Sequence, residues 1–169
     1  MSWSILIERG NLGFSAAHFI TFDSECEPLH GHNYGVRVEA TGELTSDSYV
    51  FDFVTLKNIV RALCKEWDHR FLLPLNNPHL RVSQRGDSWD VAYGDDTLYT
   101  FPTSAVVTLP TDNATAERLA QLLASRIHET LLARGIGQSL ERLRVGIEET
   151  EMQTAFYTLD LRQRVDEPG

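Results

Sequence analysis

Strict alternation of apolar and polar residues marks the first third of the chain and its final part. It is clearest in residues 34–41, where the apolar side chains share one parity: Tyr34, Val36, Val38 and Ala40. Such a period-two pattern is typical of a β-strand with one buried face. We therefore predict strands at residues 4–9, 14–19 and 34–41, a short strand at 49–53, and two final strands at about 142–150 and 154–162.

Two other segments place apolar residues at three- and four-residue steps, which is the period of an amphipathic helix. The first runs through residues 56–67, and we expect a cluster of prolines and asparagines beginning at Pro74 to end it. The second covers about residues 115–133, with Asn113 as its N-cap and Gly135 as its stop. Periodicity and end signals together therefore predict two helices.

Between the helices, residues 87–109 contain two alternating runs on either side of Gly-Asp-Asp, which is a turn signal. We predict an inserted hairpin there, followed by a connection. The order of elements is then strands, helix, hairpin, helix and two strands. This order indicates an α+β fold with an antiparallel sheet and both helices on one face.

The length and charge of the chain limit the number of domains and the kinds of binding partner that we expect. A chain of 169 residues suits one domain, so we expect residues 1–169 to fold as a single unit. The formal net charge of -9 argues against a nucleic-acid partner and against an anionic membrane surface, since both require a basic footprint. An anionic small substrate would need a local cluster of cationic side chains or a metal ion.

Cysteine usage and the N-terminal residues bear on location. Cys26 and Cys64 are too few for a disulfide framework, and such usage is typical of a reducing compartment. The N-terminus has no basic region followed by a long apolar run, and no apolar run in the sequence is long enough to span a bilayer. We therefore expect a cytoplasmic protein without a signal peptide.

Three histidines lie on or beside the predicted strands with matching parity. His30 and His32 are two residues apart, so on an extended backbone they point to the same side, and His18 shares its parity with apolar neighbours. Imidazole is the usual zinc ligand, and three histidines with an open fourth position are typical of a catalytic zinc site. The alternative is a satisfied buried histidine beside a polar turn.

Cys26 lies four residues before His30 and has three interpretations. It is a small buried apolar residue, a fourth zinc ligand, or a thiolate that acts as base or nucleophile beside the metal. The flanking carboxylates of Glu25 and Glu27 oppose thiolate formation, so the third interpretation requires a strong local cation. Glu27 is itself an alternative acid or base.

Asp68 and His69 follow the first predicted helix. If the backbone turns there, the carboxylate and the imidazole pair, and such a pair can hold a proton for general acid catalysis near neutral pH. The alternative is a solvated helix end, with neither side chain engaged in chemistry.

Glu149 stands at the end of an apolar row on the predicted strand at 142–150. A carboxylate on an inward face must be paired, because leaving it unpaired costs several kcal/mol. One suitable partner is a guanidine-like edge with two donors, such as a pterin or guanine base presents. The alternative is an ion pair with an arginine. Residues 113–117 add free backbone N–H groups at a predicted helix N-terminus, which suit a ligand as well as ordinary capping.

Six short motifs together resemble the 6-pyruvoyltetrahydropterin synthase and 6-carboxytetrahydropterin synthase family. They are FSAAH, C-x-x-x-HGHNY, VFDF, WDH, TAE and EET, and they occur in the family's order over residues 4–160. The resemblance implies the tunnelling fold, in which a four-stranded antiparallel sheet carries two helices on one side. It also implies a homo-oligomer, a trimeric barrel or a hexamer, with active sites at subunit boundaries. The chain departs from the family in Ala114, where proline is frequent, and in a longer hairpin.

The resemblance assigns a role to each candidate residue. It implies Zn2+ held by His18, His30 and His32, and Cys26 as the catalytic base. The remaining implied roles are a proton relay at Asp68 and His69, and an anchor for the pterin ring at Glu149, supported by Thr115 and Glu117.

The implied activity is that of a lyase that breaks carbon-oxygen and carbon-carbon bonds. It would convert 7,8-dihydroneopterin triphosphate to 6-carboxy-5,6,7,8-tetrahydropterin, a precursor of 7-deazaguanines such as queuosine, with loss of triphosphate and acetaldehyde. Cys26 resembles this branch of the family, whereas Glu27, three residues before His30, resembles a branch that forms 6-hydroxymethyl-dihydropterin for folate. We therefore keep a dual activity as a hypothesis, beside a 6-pyruvoyltetrahydropterin synthase of the biopterin branch, a non-catalytic pterin- or zinc-binding subunit, and a zinc hydrolase.

Overall fold

A curled mixed sheet of seven strands is the largest element of the fold. The computed structural model describes residues 2–8, 10 and 12–162, apart from the side chains at positions 96 and 97. In chain order the elements are β1 (Trp3–Ile7), β2 (Gly13–His18), β3 (Thr21–Phe22), β4 (Glu25–Cys26), β5 (His30–Gly42), α1 (Phe53–Trp67), β6 (Arg70–Pro74), β7 (Leu80–Arg85), β8 (Ser88–Tyr93), β9 (Asp96–Pro102), a 3-10 turn (Thr103–Ala105), β10 (Val106–Leu109), α2 (Ala116–Ala133), β11 (Leu140–Thr150) and β12 (Gln153–Asp160).

The long strand β5 organises the sheet. The strand order is β10-β6-β2-β5-β11-β12, and β1 pairs with the second half of β5 while β2 pairs with its first half. Strand β6 runs parallel to β10 and β2, whereas the other pairs of this sheet are antiparallel. The first residues of β5 therefore lie beside the last residues of β2.

Both helices cover one face of the sheet. Their apolar stripes pack in one buried cluster with the inward side chains of β5 and β11, and the two helices contact each other. Burial of a continuous apolar face by each element is the main stabilising term of such an architecture. The predicted α+β class with both helices on one face is thus confirmed. Within the described residues, no helix is long and apolar enough to cross a lipid bilayer.

The sheet has seven strands and two parallel pairs, instead of the four antiparallel strands that the resemblance implied. The strand β6 escaped prediction because it is buried on both faces. Leu72 packs against the helices, whereas Phe71 and Leu73 pack against a second cluster on the other side. A strand covered on both faces is a continuous apolar run and shows no alternation.

The predicted short strand at residues 49–53 is wrong. Residues 49–52 are irregular, and of their apolar side chains Val50 is buried whereas Tyr49 is exposed. The carboxylate of Asp52 accepts a hydrogen bond from the Thr55 N–H at 2.7 Å and caps α1. The helix consequently begins at Phe53, and it ends at Trp67, before Pro74, because residues 70–74 form β6.

The second helix agrees with its predicted span, but its N-cap is Thr115 rather than Asn113. The Thr115 hydroxyl accepts a hydrogen bond from the Arg118 N–H at 3.4 Å. The Asn113 side chain instead donates to the Thr21 carbonyl at 2.9 Å, which ties the start of α2 to β3. The predicted stop is confirmed, since Gly135 has a φ of +63°.

The inserted segment is a three-stranded antiparallel meander, β7 to β9, rather than a hairpin within residues 87–109. It begins at Leu80, and its first turn contains Gly86 with a φ of +56°. Two rings of β9, one ring of β6 and the ring that follows β2 contact one another in a closed circle, with centroid distances of 4.2 to 5.7 Å. We call this set the aromatic cluster: Phe19, Phe71, Tyr99 and Phe101.

Candidate metal centre and its surroundings

Three histidines converge where β2 meets β5. His18, the last residue of β2, is the register partner of His30, the first residue of β5, and His32 follows on the same side of β5. One ring nitrogen from each histidine lies within 4.8 Å of the others, and the Nε2 atoms of His18 and His30 are 3.1 Å apart. The predicted parity match between the two strands therefore brings all three imidazoles together.

A glycine permits this close pairing of strands. A Cβ at Gly31 would lie 2.9 Å from the Ala16 carbonyl oxygen on β2, which is closer than such atoms approach in proteins. The residue between the two histidines of β5 therefore has to be small for β2 to stay at this distance.

Backbone carbonyls fix the orientation of two rings. The Nδ1 of His18 lies 2.8 Å from the Ala114 carbonyl oxygen, and the Nδ1 of His30 lies 2.9 Å from that of Pro28. A carbonyl oxygen only accepts, so each Nδ1 carries the proton and each Nε2 presents a lone pair. This donor set, with outer hydrogen bonds that hold the tautomer, fits a zinc ion.

Burial favours the neutral imidazole that metal binding requires. His18 is only 1% exposed, and removal from solvent lowers the pKa of His18 below its ordinary value. The carbonyl of Ala114 and the carboxylate of Glu149 act in the opposite direction, and the other two histidines reinforce the lowering. His18 is thus held neutral and oriented before any ligand arrives.

Glu149 lies beside the histidines. Its Oε1 is 3.4 Å from the His18 Nε2 and 3.9 Å from the His32 Nε2, and it accepts a hydrogen bond from the Tyr34 hydroxyl at 3.4 Å. Burial, followed by the charge of Glu149, raises the pKa of Tyr34, which therefore stays a donor. The ion pair with an arginine belongs to the neighbouring Glu148, whose Oε2 is 2.6 Å from Arg37.

The two acidic candidates before His30 face different surroundings. The Oε2 of Glu27 is 4.0 Å from the His30 Nε2. Cys26 packs against the second buried cluster, which includes Phe19 and Phe71, and its thiol lies 3.7 Å from the Glu27 carbonyl oxygen. Burial and the Glu27 carboxylate raise the pKa of the Cys26 thiol. In this arrangement the Glu27 carboxylate lies next to His30, whereas Cys26 packs against the second buried cluster.

Asp68 and His69 form the predicted pair at a separation of 2.9 Å between Oδ2 and Nδ1. The other oxygen of Asp68 accepts the Ser15 N–H at 2.8 Å, and this bond, followed by the His69 interactions, lowers the pKa of Asp68. His69 has a φ of +57°, a conformation that is costly for a residue with a Cβ. Its side chain is 81% exposed and does not join the three-histidine group.

The start of α2 reaches the centre through its backbone. The Ala114 carbonyl holds His18, whereas the Thr115 hydroxyl is used in capping and Glu117 is exposed in the first turn. Sequence reasoning missed the Ala114 and Pro28 carbonyls, because a backbone acceptor leaves no signal in residue type. Tyr34 was detectable, since it shares the parity of the histidines on β5.

The sequence of this chain is similar to that of known enzymes. A family model described as 6-pyruvoyl tetrahydropterin synthase matches residues 9–160. A protein of Methanocaldococcus jannaschii assigned as a 6-carboxy-5,6,7,8-tetrahydropterin synthase is 35% identical over 150 residues, which make up 88% of this chain and 91% of that protein. A dihydroneopterin monophosphate aldolase of Pyrococcus furiosus is 44% identical over 59 residues, or 35% of this chain and 50% of that protein.

Solved structures agree with the fold. The crystal structure of 6-pyruvoyl tetrahydropterin synthase from Plasmodium vivax matches with a TM-score of 0.89 and 30% identity, covering 95% of this chain and 99% of that one. Two further structures of that enzyme carry substitutions at a glutamate described as a catalytic residue. These neighbours confirm the α+β tunnelling fold predicted from the sequence.

Proposed function

Because this chain belongs to the 6-pyruvoyl tetrahydropterin synthase family, we propose that it is a zinc-dependent lyase acting on 7,8-dihydroneopterin triphosphate. Its main product is 6-carboxy-5,6,7,8-tetrahydropterin, with loss of triphosphate and acetaldehyde, as a precursor of 7-deazaguanines. The observation that carries the proposal is the convergence of three imidazoles, two of which, those of His18 and His30, are oriented by backbone carbonyls before any ligand binds. Relatives that cover most of the chain and are assigned the carboxy-forming activity support the choice of product.

The three histidines would hold the zinc, and Glu149 would hold the pterin ring. Bound zinc supplies a Lewis acid that polarises the side-chain oxygens of the substrate and acidifies the adjacent C–H. The two carboxylate oxygens of Glu149 suit the two N–H donors of a pterin edge, and their position beside His18 would place the side chain of the substrate at the metal. We propose supporting roles for Thr115 and Glu117 at the start of α2.

Two groups compete for the role of base. We propose that Cys26 removes the substrate proton in the carboxy-forming reaction, which requires the thiol to turn away from the second buried cluster. We propose Glu27 as the base of a second activity that cleaves the same side chain to give 6-hydroxymethyl-dihydropterin. The 4.0 Å separation between Glu27 and His30 favours this second activity. The partial similarity to an aldolase and the catalytic glutamate of the Plasmodium vivax enzyme support it.

The exposed pair of Asp68 and His69 suggests how the site is completed. We propose that the chain forms a homo-oligomer, a trimer or hexamer, in which this pair serves as a proton relay for a neighbouring copy. The exposed position of His69 supports this, because the ring is free to reach another subunit. Cations for the triphosphate would also come from that copy. A cytoplasmic location belongs to the same proposal and agrees with two free cysteines.

The test is a product assay. Zinc-loaded protein is incubated with 7,8-dihydroneopterin triphosphate, a chelated sample serves as control, and the pterins are identified by mass spectrometry. Zinc-dependent 6-carboxytetrahydropterin supports the main activity, and a 6-hydroxymethyl product beside it supports the second. Pyruvoyltetrahydropterin alone would move the chain to the biopterin branch. The absence of any zinc-dependent product would leave a pterin- or zinc-binding subunit.

A further inference from the structure

Tyr99 connects the inserted meander to both strands that carry the histidines. Its hydroxyl oxygen accepts a hydrogen bond from the Leu29 N–H at 3.1 Å, one residue before His30. Its ring stacks on Phe19, one residue after His18, with a centroid distance of 5.7 Å and an interplanar angle of 23°. One side chain from an inserted element thus contacts the segments next to two of the three imidazoles.

The segment from Cys26 to Leu29 is also attached at its start, where Cys26 pairs with Thr21 of β3. The Glu27 N–H donates to the Ile20 carbonyl at 3.0 Å, and the Pro28 carbonyl accepts from His30. Pro28 has no N–H to donate. The bond from the Leu29 N–H to Tyr99 then joins the C-terminal end of this segment to the meander.

Tyr99 is itself held firmly. It lies in β9 opposite Val91 of β8, which is fully buried, and its ring contacts Phe101 in the aromatic cluster. Cys26 and Tyr99 both pack against the second buried cluster, which includes Phe19 and Phe71. The meander thus sets the position of Tyr99, which contacts the residue before His30 and shares this cluster with Cys26.

We propose that Tyr99 is a positioning residue that selects between Cys26 and Glu27. By holding Leu29 and stacking on Phe19, it keeps Cys26 against the second buried cluster and leaves the Glu27 carboxylate beside His30. The product selectivity that follows rests on the proposed function, whereas the effect on the thiol does not. The meander would then limit the share of the Cys26-dependent reaction and allow the second activity beside it, without contacting the substrate.

The first test measures the thiol directly. Full-length, zinc-loaded protein is treated with iodoacetamide, and the alkylation rate of each cysteine is followed by peptide mass spectrometry. Loss of one hydrogen bond in Tyr99→Phe is expected to raise the Cys26 rate about three- to tenfold. The rate at Cys64, which is buried in α1, should stay unchanged, and Tyr93→Phe in β8 should behave as wild type. An unchanged Cys26 rate, or an equal rise at Cys64, would overturn the proposal.

The second test measures selectivity. Tyr99→Phe is expected to raise the ratio of 6-carboxy to 6-hydroxymethyl product by a similar factor of about three to ten, since the freed thiol can reach the substrate. A purely structural role would lower both products equally and leave the ratio unchanged, which would contradict the selection of a base. If wild type forms no pterin product, the proposed function fails, and the alkylation rates still decide whether Tyr99 positions the thiol.

Discussion

The Nε2 atoms of His18 and His30 lie 3.1 Å apart, although each ring already donates its Nδ1 proton to a backbone carbonyl. Two nitrogens that both present lone pairs at this distance repel each other unless a cation lies between them. The fold therefore holds the rings in an arrangement that a metal ion stabilises.

Zinc is accordingly expected to stabilise the folded chain. At a free zinc concentration of about 100 times Kd, the gain in unfolding free energy is about 2.7 kcal/mol if the unfolded chain does not bind zinc. Calorimetry with and without a chelator measures the shift in Tm. His30→Ala should abolish most of the shift, whereas His79→Ala, at an exposed position outside the group, should retain it. Equal shifts in both variants would contradict a metal centre at the three histidines.

Substitution of each candidate base, Cys26 or Glu27, should lower the yield of one pterin product and leave the other. Glu27→Gln keeps the shape of the side chain but removes its basicity, and we expect the 6-hydroxymethyl product to fall about 10²- to 10⁴-fold while the 6-carboxy product persists. Cys26→Ala should have the reverse effect. Quantitative mass spectrometry of both pterins after a fixed time provides the measurement, and Glu25→Gln, at an exposed position, is the matched control. Loss of both products in either variant would argue against two independent bases.

Neighbouring carboxylates on β11 offer a matched pair for substrate binding. Glu149→Gln removes the charge that would accept two pterin N–H bonds, and hydrogen bonds to charged groups contribute about 1.5–3 kcal/mol. We therefore expect KM to rise about 10- to 100-fold. Glu148→Gln weakens contacts with Arg37 and with the Met152 N–H, both outside the histidine group, and should leave KM unchanged. Zinc affinity, measured in parallel, must stay close to wild type for the effect to be assigned to the pterin.

The thiol of Cys26 should titrate at higher pH than a free cysteine in the metal-free protein. Burial, followed by the Glu27 carboxylate, raises the pKa of the Cys26 thiol, so its reactive thiolate forms only as the pH rises above the ordinary range. The rate of alkylation against pH gives the midpoint. Glu27→Gln should lower this midpoint by removing the adverse charge. Cys64 is an internal reference, because burial raises the pKa of Cys64 to about 12.

The sequence predicted those parts of the molecule that depend on a simple period. The parity shared by His18, His30 and His32 was enough to predict their convergence, since a strand places alternate residues on one face and the two strands pair in register. The buried strand β6 was not predictable in this way, because burial on both faces removes the alternation.

Contacts between distant parts of the chain account for what the sequence did not predict. The residue before His30 is held by Tyr99, about seventy positions away in the meander. Likewise, the tautomer of His18 depends on a backbone carbonyl from the start of α2. Residue type and spacing contain no information about contacts between such distant residues. Only the structure therefore shows the contact of Leu29 with Tyr99 and that of His18 with the Ala114 carbonyl.

The location of His18 and His30 at strand ends has a mechanical consequence. His18 is the last residue of β2 and His30 is the first residue of β5, so hydrogen-bonded pairing between the two strands begins at the ligands themselves. A bound ion would act as a cross-link at the point where a two-stranded pairing otherwise frays. Opening of this end of the sheet and release of the ion would then be a single event, and the rate of metal exchange would report on the local stability of the sheet.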